Sequence, residues 1–257
     1  MGSARKLKDA VPDEYAEVMK HRFRELSMPI ARRRWSGDAR YCPLCESRVR
    51  EFRPAGIVAR ANARCPVCGS LERHRLLWLY LNERTDLLDG RRKKLLHVSP
   101  EYVIGKRLRP SPTLDYLSCD LESKQAMVQM DITDIHLPDN TFDVIICNHV
   151  IEHIPDDTRA MAELFRVLRP GGWSILQTPI KGDTTHEDPT VQTPEERLRH
   201  FGQRDHVRIY GRDYQDRLGS VGFDVQVDDY VRTLDPAVVV TYGLDAQEDI
   251  YCCRKPV

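Results

Sequence analysis

Four polar side chains suited to acid–base chemistry or hydrogen bonding follow directly on a short apolar run. The run covers residues 142–147, is rich in β-branched residues and is typical of a strand buried on both faces. The polar residues are Asn148, His149, Glu152 and His153. They would lie at the carboxyl end of a parallel strand, the edge where open α/β sheets bind ligands. Alone, they could equally cap a strand and open a loop, so the flanking elements must decide.

Two pairs of cysteines form the most specific chemical signal of the chain. Two residues lie between Cys42 and Cys45 and between Cys65 and Cys68, and nineteen residues separate the two pairs. Two such knuckles supply the four thiolates of tetrahedral zinc. An iron–sulfur cluster is the alternative, but the spacing and the proline inside each pair favour zinc. Four protein ligands leave no open position, so we expect a structural ion that holds together a segment too small to fold unaided.

The charges are unevenly distributed, although the formal net charge of the 257 residues is zero. Residues 1–94 contain 22 Lys and Arg against 12 Asp and Glu, whereas the remainder contains 17 against 27. A basic N-terminal third could contact nucleic acid, but such an excess is more often a solvated surface. No apolar run approaches the roughly 18 residues of a membrane span, and the first residues lack the apolar core of a secretory signal. We expect a soluble, cytoplasmic protein without a membrane partner.

The N-terminal part is predicted to contain two accessory units. Helical periodicity and a basic run indicate a helical arm over residues 1–40, and residues 41–90 would form a zinc ribbon with a docking helix. Ser70 is expected to cap this helix, Gly90 to mark its end, and His74 to lie on its surface. The helix would dock the ribbon onto a main domain over residues 91–257.

After Lys94, short apolar runs alternate with helical segments, which is typical of a parallel sheet covered on both faces. The predicted strands are 95–98, 116–119, 126–130, 142–147, 173–178, 223–231 and 250–254. A helix is predicted over 157–168 and another over 212–221. The polar stretch 181–205 is long enough to be a lid or a binding loop. The sequence therefore predicts an α/β fold.

This order of elements resembles the class I S-adenosylmethionine-dependent methyltransferases over about residues 94–257. The resemblance rests on Asp120 after the second strand, Asp131 in MDITDIHLPDNTFDVI, the block CNHVIEHI and the run ELFRVLRPGGWSILQTP. It implies a Rossmann-like, mostly parallel sheet with an antiparallel last strand, S-adenosylmethionine as cofactor and a small-molecule acceptor. Methylation would occur on oxygen or nitrogen, as in natural-product biosynthesis. Nothing in the sequence indicates an oligomeric state.

The resemblance also implies roles for the acids at the strand ends. Asp120 can accept hydrogen bonds from the two ribose hydroxyls, as acids do in dinucleotide folds. Asp131 can accept from the adenine amino group, and Leu121 and Ile132 would wall the ring.

The chain departs from the family after the first strand. The usual glycine-rich loop is replaced by HVSPEY, residues 97–102. This chain is similar to a bacterial subgroup with His-x-x-Pro-Glu here, often behind a paired-cysteine ribbon. Ser99 and Glu101 could then bond the carboxylate and ammonium of the cofactor. Asn148 and His149 would lie beside its methionine end and sulfonium.

Methyl transfer from a sulfonium mainly requires alignment of acceptor and methyl group and exclusion of water. A hydroxyl acceptor additionally needs a base, for which histidine is suited. The resemblance points to His206, with His153 and His186 as further candidates for a catalytic role. One alternative is an RNA methyltransferase that grips phosphates with its ribbon and with Arg32, Arg33 and Arg34, so nucleic acid is the less favoured partner. Another is a degenerate, non-catalytic scaffold.

Overall fold

The computed structural model describes residues 13–257. The N-terminal part consists of a helix, two small antiparallel strand pairs and a second helix. These elements are α1 (Asp13–Arg34), β1 (Ser36–Cys42), β2 (Ser47–Val49), β3 (Arg53–Ala55), β4 (Arg60–Arg64) and α2 (Glu72–Glu83). β1 pairs with β2, and β3 pairs with β4. Residues 1–12 of the predicted arm lie outside the described part of the chain.

Helix α2 begins later and ends earlier than the sequence indicated. Leu71 is its N-cap residue, so Ser70 does not cap it. The Ser70 hydroxyl instead lies 3.2 Å from the sulfurs of both Cys42 and Cys68. The helix ends at Glu83, well before Gly90.

The next elements alternate between strands and helices, as predicted. They are β5 (Lys93–Val98), α3 (Tyr102–Leu108), β6 (Leu114–Asp120), β7 (Val128–Gln129), β8 (Phe142–Asn148), a 3-10 turn (Ile151–His153), α4 (Asp157–Val167) and β9 (Leu168–Gln177). The third predicted strand is reduced to the two residues of β7. β9 begins five residues earlier than expected, because Leu168 already pairs with Phe142 of β8.

The C-terminal part contains β10 (His186–Glu187), α5 (Pro194–Phe201), β11 (Arg208–Ile209), α6 (Tyr214–Ser220), β12 (Asp224–Asp228), α7 (Tyr230–Thr233), α8 (Pro236–Tyr242) and β13 (Ile250–Arg254). The stretch 181–205 is thus not a structureless loop. A capping box begins α5: Glu196 N donates to Thr193 Oγ1 over 3.3 Å, and Thr193 N donates to Glu196 Oε2 over 3.0 Å. The sequence TPEE carries this signal.

The central sheet has the strand order β12-β13-β9-β8-β5-β6-β7. β13 runs antiparallel to both of its neighbours, and β5, β6, β7, β8 and β9 pair in parallel. The predicted Rossmann-like α/β sheet with an antiparallel last strand is confirmed. Because β5, β6, β8 and β9 run parallel, their carboxyl ends lie at one edge of the sheet.

Strand β8 is buried on both faces, as its composition predicted. Val144 and Ile146 belong to the apolar cluster that includes α2 and the cysteine-rich segment. Ile145 and Cys147 belong to the opposite cluster, with residues of α4 and α6. Alternate residues of a strand point to opposite faces, so β8 joins the two layers. Within residues 13–257, no helix is both long and apolar enough to cross a bilayer.

Candidate functional site

Two non-glycine residues with left-handed backbone conformation follow the central strands. Ser99, after β5, has φ 45°, and His149, after β8, has φ 54°. Residues with a Cβ rarely adopt this region, and such strain is concentrated at functional sites. Neighbouring strands hold each turn: Ser99 N donates to Cys119 O over 2.7 Å, and His149 N donates to Gln177 O over 2.7 Å. The positive φ angles therefore set the direction in which the side chains of Ser99 and His149 leave the carboxyl edge of the sheet.

A cavity of about 350 Å³ lies at this edge, and we call it the smaller cavity. Six of the eight residues predicted to bind the cofactor line it: Ser99, Asp120, Leu121, Asp131, Ile132 and His149. Asp120 Oδ1 accepts from the backbone N–H groups of Glu122 (2.9 Å) and Ser123 (2.8 Å). Asp120 Oδ2 accepts from the Ser99 hydroxyl. Because a carboxylate has about four acceptor sites, Oδ2 keeps room for one more donor.

The other wall of the smaller cavity combines an acid with apolar surface. Asp131 Oδ1 accepts from the N–H and the hydroxyl of Thr133, both at 2.8 Å. Ile132 is buried, whereas the Leu121 side chain is 63% exposed. An exposed leucine at a cavity wall offers apolar surface that a planar ring would cover.

Glu101 and Asn148 do not line the smaller cavity but are bonded to each other, Asn148 Nδ2 donating to Glu101 Oε1 over 3.1 Å. Glu101 Oε2 lies 2.9 Å from His97 Nε2, and His97 Nδ1 lies 3.0 Å from the Tyr116 hydroxyl. Burial alone would raise the pKa of Glu101, but the His97 hydrogen bond and the nearby His97 and His74 rings lower it to about 2. The carboxylate is therefore ionised at neutral pH.

A second cavity, of about 740 Å³, opens at the same edge, and we call it the larger cavity. Its lining includes His149, His153 and Asp205, which also line the smaller cavity. Glu152, Thr178 and His206 are among the residues that line only the larger cavity. The two cavities therefore meet at the polar tip of β8.

Glu152 is almost fully buried at this tip, with 1% of its surface exposed. Its Oε2 accepts from Thr178 Oγ1 over 3.1 Å, and its Oε1 lies 3.5 Å from His149 Nδ1. Burial would raise the pKa of Glu152, but the adjacent His149 outweighs this and lowers it. The ring centroids of His153 and His206 are 4.7 Å apart, and the angle between the two ring planes is 85°. Burial lowers the pKa of His206, so that its ring is neutral at pH 7.

The three histidines predicted to be catalytic lie in two places. His153 and His206 line the larger cavity. His186 lies on β10 and is exposed, with its ring 6.3 Å from that of His200 and 5.6 Å from that of Phe201. It lines neither of these two cavities.

Helix α2 contributes residues that sequence reasoning missed. Arg73 lines the larger cavity. His74 was expected on the helix surface but is half-buried: burial lowers its pKa to about 4, and it interacts electrostatically with Glu101 and His149. Its Nε2 has no hydrogen-bond partner within residues 13–257. Glu248, before β13, also lines the larger cavity, and burial raises its pKa. No local pattern marks these residues, because tertiary docking decides which helix face meets the sheet edge.

The four paired cysteines lie together and are buried. Cys42 Sγ lies 3.6 Å from Cys68 Sγ, and Cys45 Sγ lies 3.8 Å from Cys65 Sγ. Four sulfurs bound tetrahedrally at about 2.3 Å from a zinc ion are roughly 3.8 Å from one another. The thiol set therefore fits such an ion. Arg32 of α1 holds the cluster from outside, donating to Cys45 O over 2.9 Å.

Comparisons with known proteins agree with this geometry. Residues 105–176 match a family model described as a methyltransferase domain. The chain is 28% identical over 148 residues to ajmaline N-methyltransferase of Rauvolfia serpentina, covering 56% of this chain and 48% of that protein. It is 43% identical over 96 residues to a probable S-adenosylmethionine-dependent methyltransferase of Mycolicibacterium smegmatis, covering 37% of this chain and 34% of that protein. The chain thus spans half or less of the length of these two relatives.

A solved structure extends the likeness to the fold. An S-adenosylmethionine-dependent methyltransferase of Mesorhizobium loti superposes with a TM-score of 0.50 at 14% identity, over 69% of this chain and 97% of that one. Likeness at this identity concerns the fold alone. The matched segment and both relatives thus agree in the kind of protein that this chain resembles, a methyltransferase.

Proposed function

We propose that this protein transfers a methyl group from S-adenosylmethionine, bound in the smaller cavity, to a small molecule bound in the larger cavity. The observation that carries the proposal is that the two cavities share His149, His153 and Asp205 at the carboxyl edge of the sheet. Two ligands placed on either side of these residues would have their reacting atoms adjacent, as a displacement between them requires.

The smaller cavity offers suitable groups for adenine and ribose, and residues beside it offer groups for the methionine end. Asp120 has an acceptor site for a ribose hydroxyl, and Asp131 can accept from the adenine amino group between Leu121 and Ile132. Towards β8, the ionised Glu101 suits the ammonium of the methionine end. The Ser99 hydroxyl, which donates to Asp120, could instead donate to the carboxylate of the cofactor. This change would leave Asp120 with a second acceptor site for a ribose hydroxyl.

The larger cavity would orient the acceptor and take its proton. When bound, the sulfonium supplies an activated methyl group. His206 is neutral at pH 7 and lines the cavity, so it can accept a proton from an acceptor hydroxyl or amine. Buried Glu152 would stabilise the positive charge that forms on a neighbouring ring. The name of the Rauvolfia relative describes methylation of nitrogen, so both oxygen and nitrogen acceptors belong to the proposal.

We also infer that Cys42, Cys45, Cys65 and Cys68 bind one structural zinc ion, which their spacing and their sulfur–sulfur distances support. The RNA methyltransferase alternative has less support. Arg32, one of three consecutive arginines offered for phosphate contacts, already makes intramolecular hydrogen bonds: it donates to Cys45 O over 2.9 Å and to Ser47 Oγ over 3.1 Å. RNA affinity that falls steeply with salt would favour this alternative.

Calorimetry with S-adenosylmethionine and with its demethylated product tests the proposal. The wild-type protein should bind both, and Asp120→Ala should lower the affinity by about 10- to 100-fold, because charge-assisted hydrogen bonds to ribose are lost. Asp115→Ala is the matched control, since Asp115 is exposed on the same strand. Failure of the wild-type protein to bind either compound would refute the proposal and favour a non-catalytic scaffold.

A further inference from the structure

We propose that Glu152, His153 and His206 form a binding site for one divalent transition-metal ion in the larger cavity. Each residue offers one ligand atom, and the three atoms all lie within 4.8 Å of one another. This site is separate from the cysteine cluster and differs in chemistry, since its donors are two imidazoles and a carboxylate. Such a set suits zinc, iron, cobalt or manganese, whereas the thiolate set selects softer ions.

The two rings are arranged as ligands of one ion would be. Imidazoles bound to one ion at about 2.1 Å, at angles between 90° and the tetrahedral angle, have ring centres roughly 4.5–5.2 Å apart. The rings of His153 and His206 are 4.7 Å apart and nearly perpendicular. An edge-to-face contact between the two rings does not by itself account for the carboxylate beside them.

The carboxylate provides an independent observation. Glu152 is 1% exposed, and its Oε1 has no hydrogen bond within residues 13–257, although His149 Nδ1 lies 3.5 Å from it. Thr178 satisfies only the other oxygen. A buried carboxylate oxygen without a donor is costly, and a cation between it and the two rings would remove that cost.

The surroundings of the cluster are also those of a metal site. Asp205 Oδ2 lies 3.4 Å from His153 Nδ1, where a carboxylate can orient a ligand histidine. Glu248 adds an acid to the same cavity. Three arginines line it as well: Arg73, from α2, Arg60, which pairs with Glu72, and Arg212, which donates to Asp183 over 2.6 Å.

Three protein ligands leave coordination positions open for another molecule. This second step rests on the proposed function: the open positions would take an oxygen of the acceptor, which favours hydroxyl-bearing acceptors over amines. Bound to the ion, the hydroxyl would lose its proton more readily, and the proton would pass to water in the cavity. The oxygen would then form a bond to the methyl carbon while the carbon–sulfur bond breaks and its electron pair goes to sulfur. With the ion present, His206 acts as a ligand and not as a base.

Cobalt(II) titration of the protein, loaded beforehand with one equivalent of zinc, tests the site, with calorimetry and visible absorption as readouts. We expect one equivalent of cobalt to bind with ligand-field bands and without a thiolate charge-transfer band. His153→Ala and His206→Ala should each lower the cobalt affinity at least tenfold. His200→Ala is the control, because His200 is an exposed histidine of α5 outside the cluster. Far-UV circular dichroism checks that each variant is folded.

Two results would overturn the metal site. One is that the zinc-loaded wild-type protein binds no cobalt. The other is that the folded variants His153→Ala and His206→Ala bind cobalt with the affinity of the wild type. Calorimetry with S-adenosylmethionine on the same samples separates this inference from the proposed function. Cofactor binding without cobalt binding leaves the proposed function standing and removes the metal site. Cobalt binding without cofactor binding leaves the metal site standing and removes the proposed function.

Discussion

Asn148 Nδ2 donates to Glu101 Oε1 over 3.1 Å, so the last residue of β8 is bonded to the loop that follows β5. His97 and Tyr116 continue this connection to β6. A glycine-rich loop lets the backbone approach a ligand closely. In this protein, hydrogen bonds between side chains fix the loop after β5 instead. The loop also carries the ionised carboxylate of Glu101.

Replacing Glu101 with Gln removes this charge and keeps the shape of the side chain. Since Glu101 is proposed to bind the ammonium of the cofactor, we expect affinity for S-adenosylmethionine to fall about tenfold, which calorimetry would measure. Glu51→Gln, at an exposed position near β3, should bind as the wild type does. Equal affinities of the two variants would contradict the assignment.

Ser99 should tolerate glycine better than alanine. Its φ of 45° strains any residue with a Cβ, and both substitutions remove the bond to Asp120 equally. We expect Ser99→Gly to be more stable than Ser99→Ala by about 1 kcal/mol, as measured by urea unfolding. An alanine variant as stable as the glycine variant would show that the turn is not strained.

His74 should make stability depend on pH in an accessible window. Burial lowers its folded pKa to about 4, from an ordinary value of 6.5. As pH falls from 6.5 to 4, the unfolded chain binds a proton that the folded chain does not, so the folded state loses stability. The stabilisation is fully present above pH 6.5, and its loss is on the order of 3 kcal/mol.

His74→Gln should therefore flatten the curve of unfolding free energy against pH between 4 and 6.5. Chemical unfolding at several pH values measures this. His136→Gln is the control, because the His136 side chain is 87% exposed. A His74→Gln curve parallel to that of the wild type would show that the ring is protonated alike in both states.

The cysteine cluster should hold one zinc ion per chain, and elemental analysis would measure it. Cys65→Ser should lose the ion and lower the melting temperature, because metal binding contributes directly to the folding of a small segment. Cys119→Ala, at a buried thiol outside the cluster, should keep the full zinc content. If chelation left the melting temperature unchanged, the cluster would not be a structural metal site.

Arg75 should be among the most sensitive positions for stability. Its guanidinium is fully buried and donates to Ala63 O and Ser70 O, both at 3.0 Å, and to Gly243 O at 2.7 Å. Arg75→Met would leave these carbonyls unpaired, at a cost on the order of 3 kcal/mol in unfolding free energy. Arg73→Met, two positions earlier on a partly exposed face, should cost far less. Urea unfolding of the two variants gives the comparison.

The parts predicted from sequence are those that depend on local pattern. The apolar run that ends at Cys147 marks a strand by its composition. Asp120 and Asp131 are recognised because each comes at or just after the end of a strand. Their positions at one sheet edge follow once the strands are parallel. The cysteine spacing likewise brings thiols together whatever the rest of the chain does. Each is a short-range relationship that periodicity or spacing can express.

The parts that were missed depend on how separate elements dock. The position of His74 beside Glu101 is decided by the face of α2 that meets the sheet. His186 lies on β10 and His206 lies two residues before β11, the strand that pairs with β10, yet only His206 lines the larger cavity. Helix α5 is an exception, because the sequence TPEE at residues 193–196 carries the capping-box signal of its start.

The hydrogen bonds of Arg75 also link two places that are distant along the chain. The same guanidinium holds the cysteine-rich segment through Ser70 and the C-terminal segment through Tyr242 and Gly243. That C-terminal segment continues into Asp245 and Glu248, which line the larger cavity. We therefore expect metal occupancy of the cysteines and ligand affinity of the cavity to be thermodynamically coupled. By linkage, an acceptor that binds more tightly to the zinc-loaded protein must tighten zinc binding by the same factor.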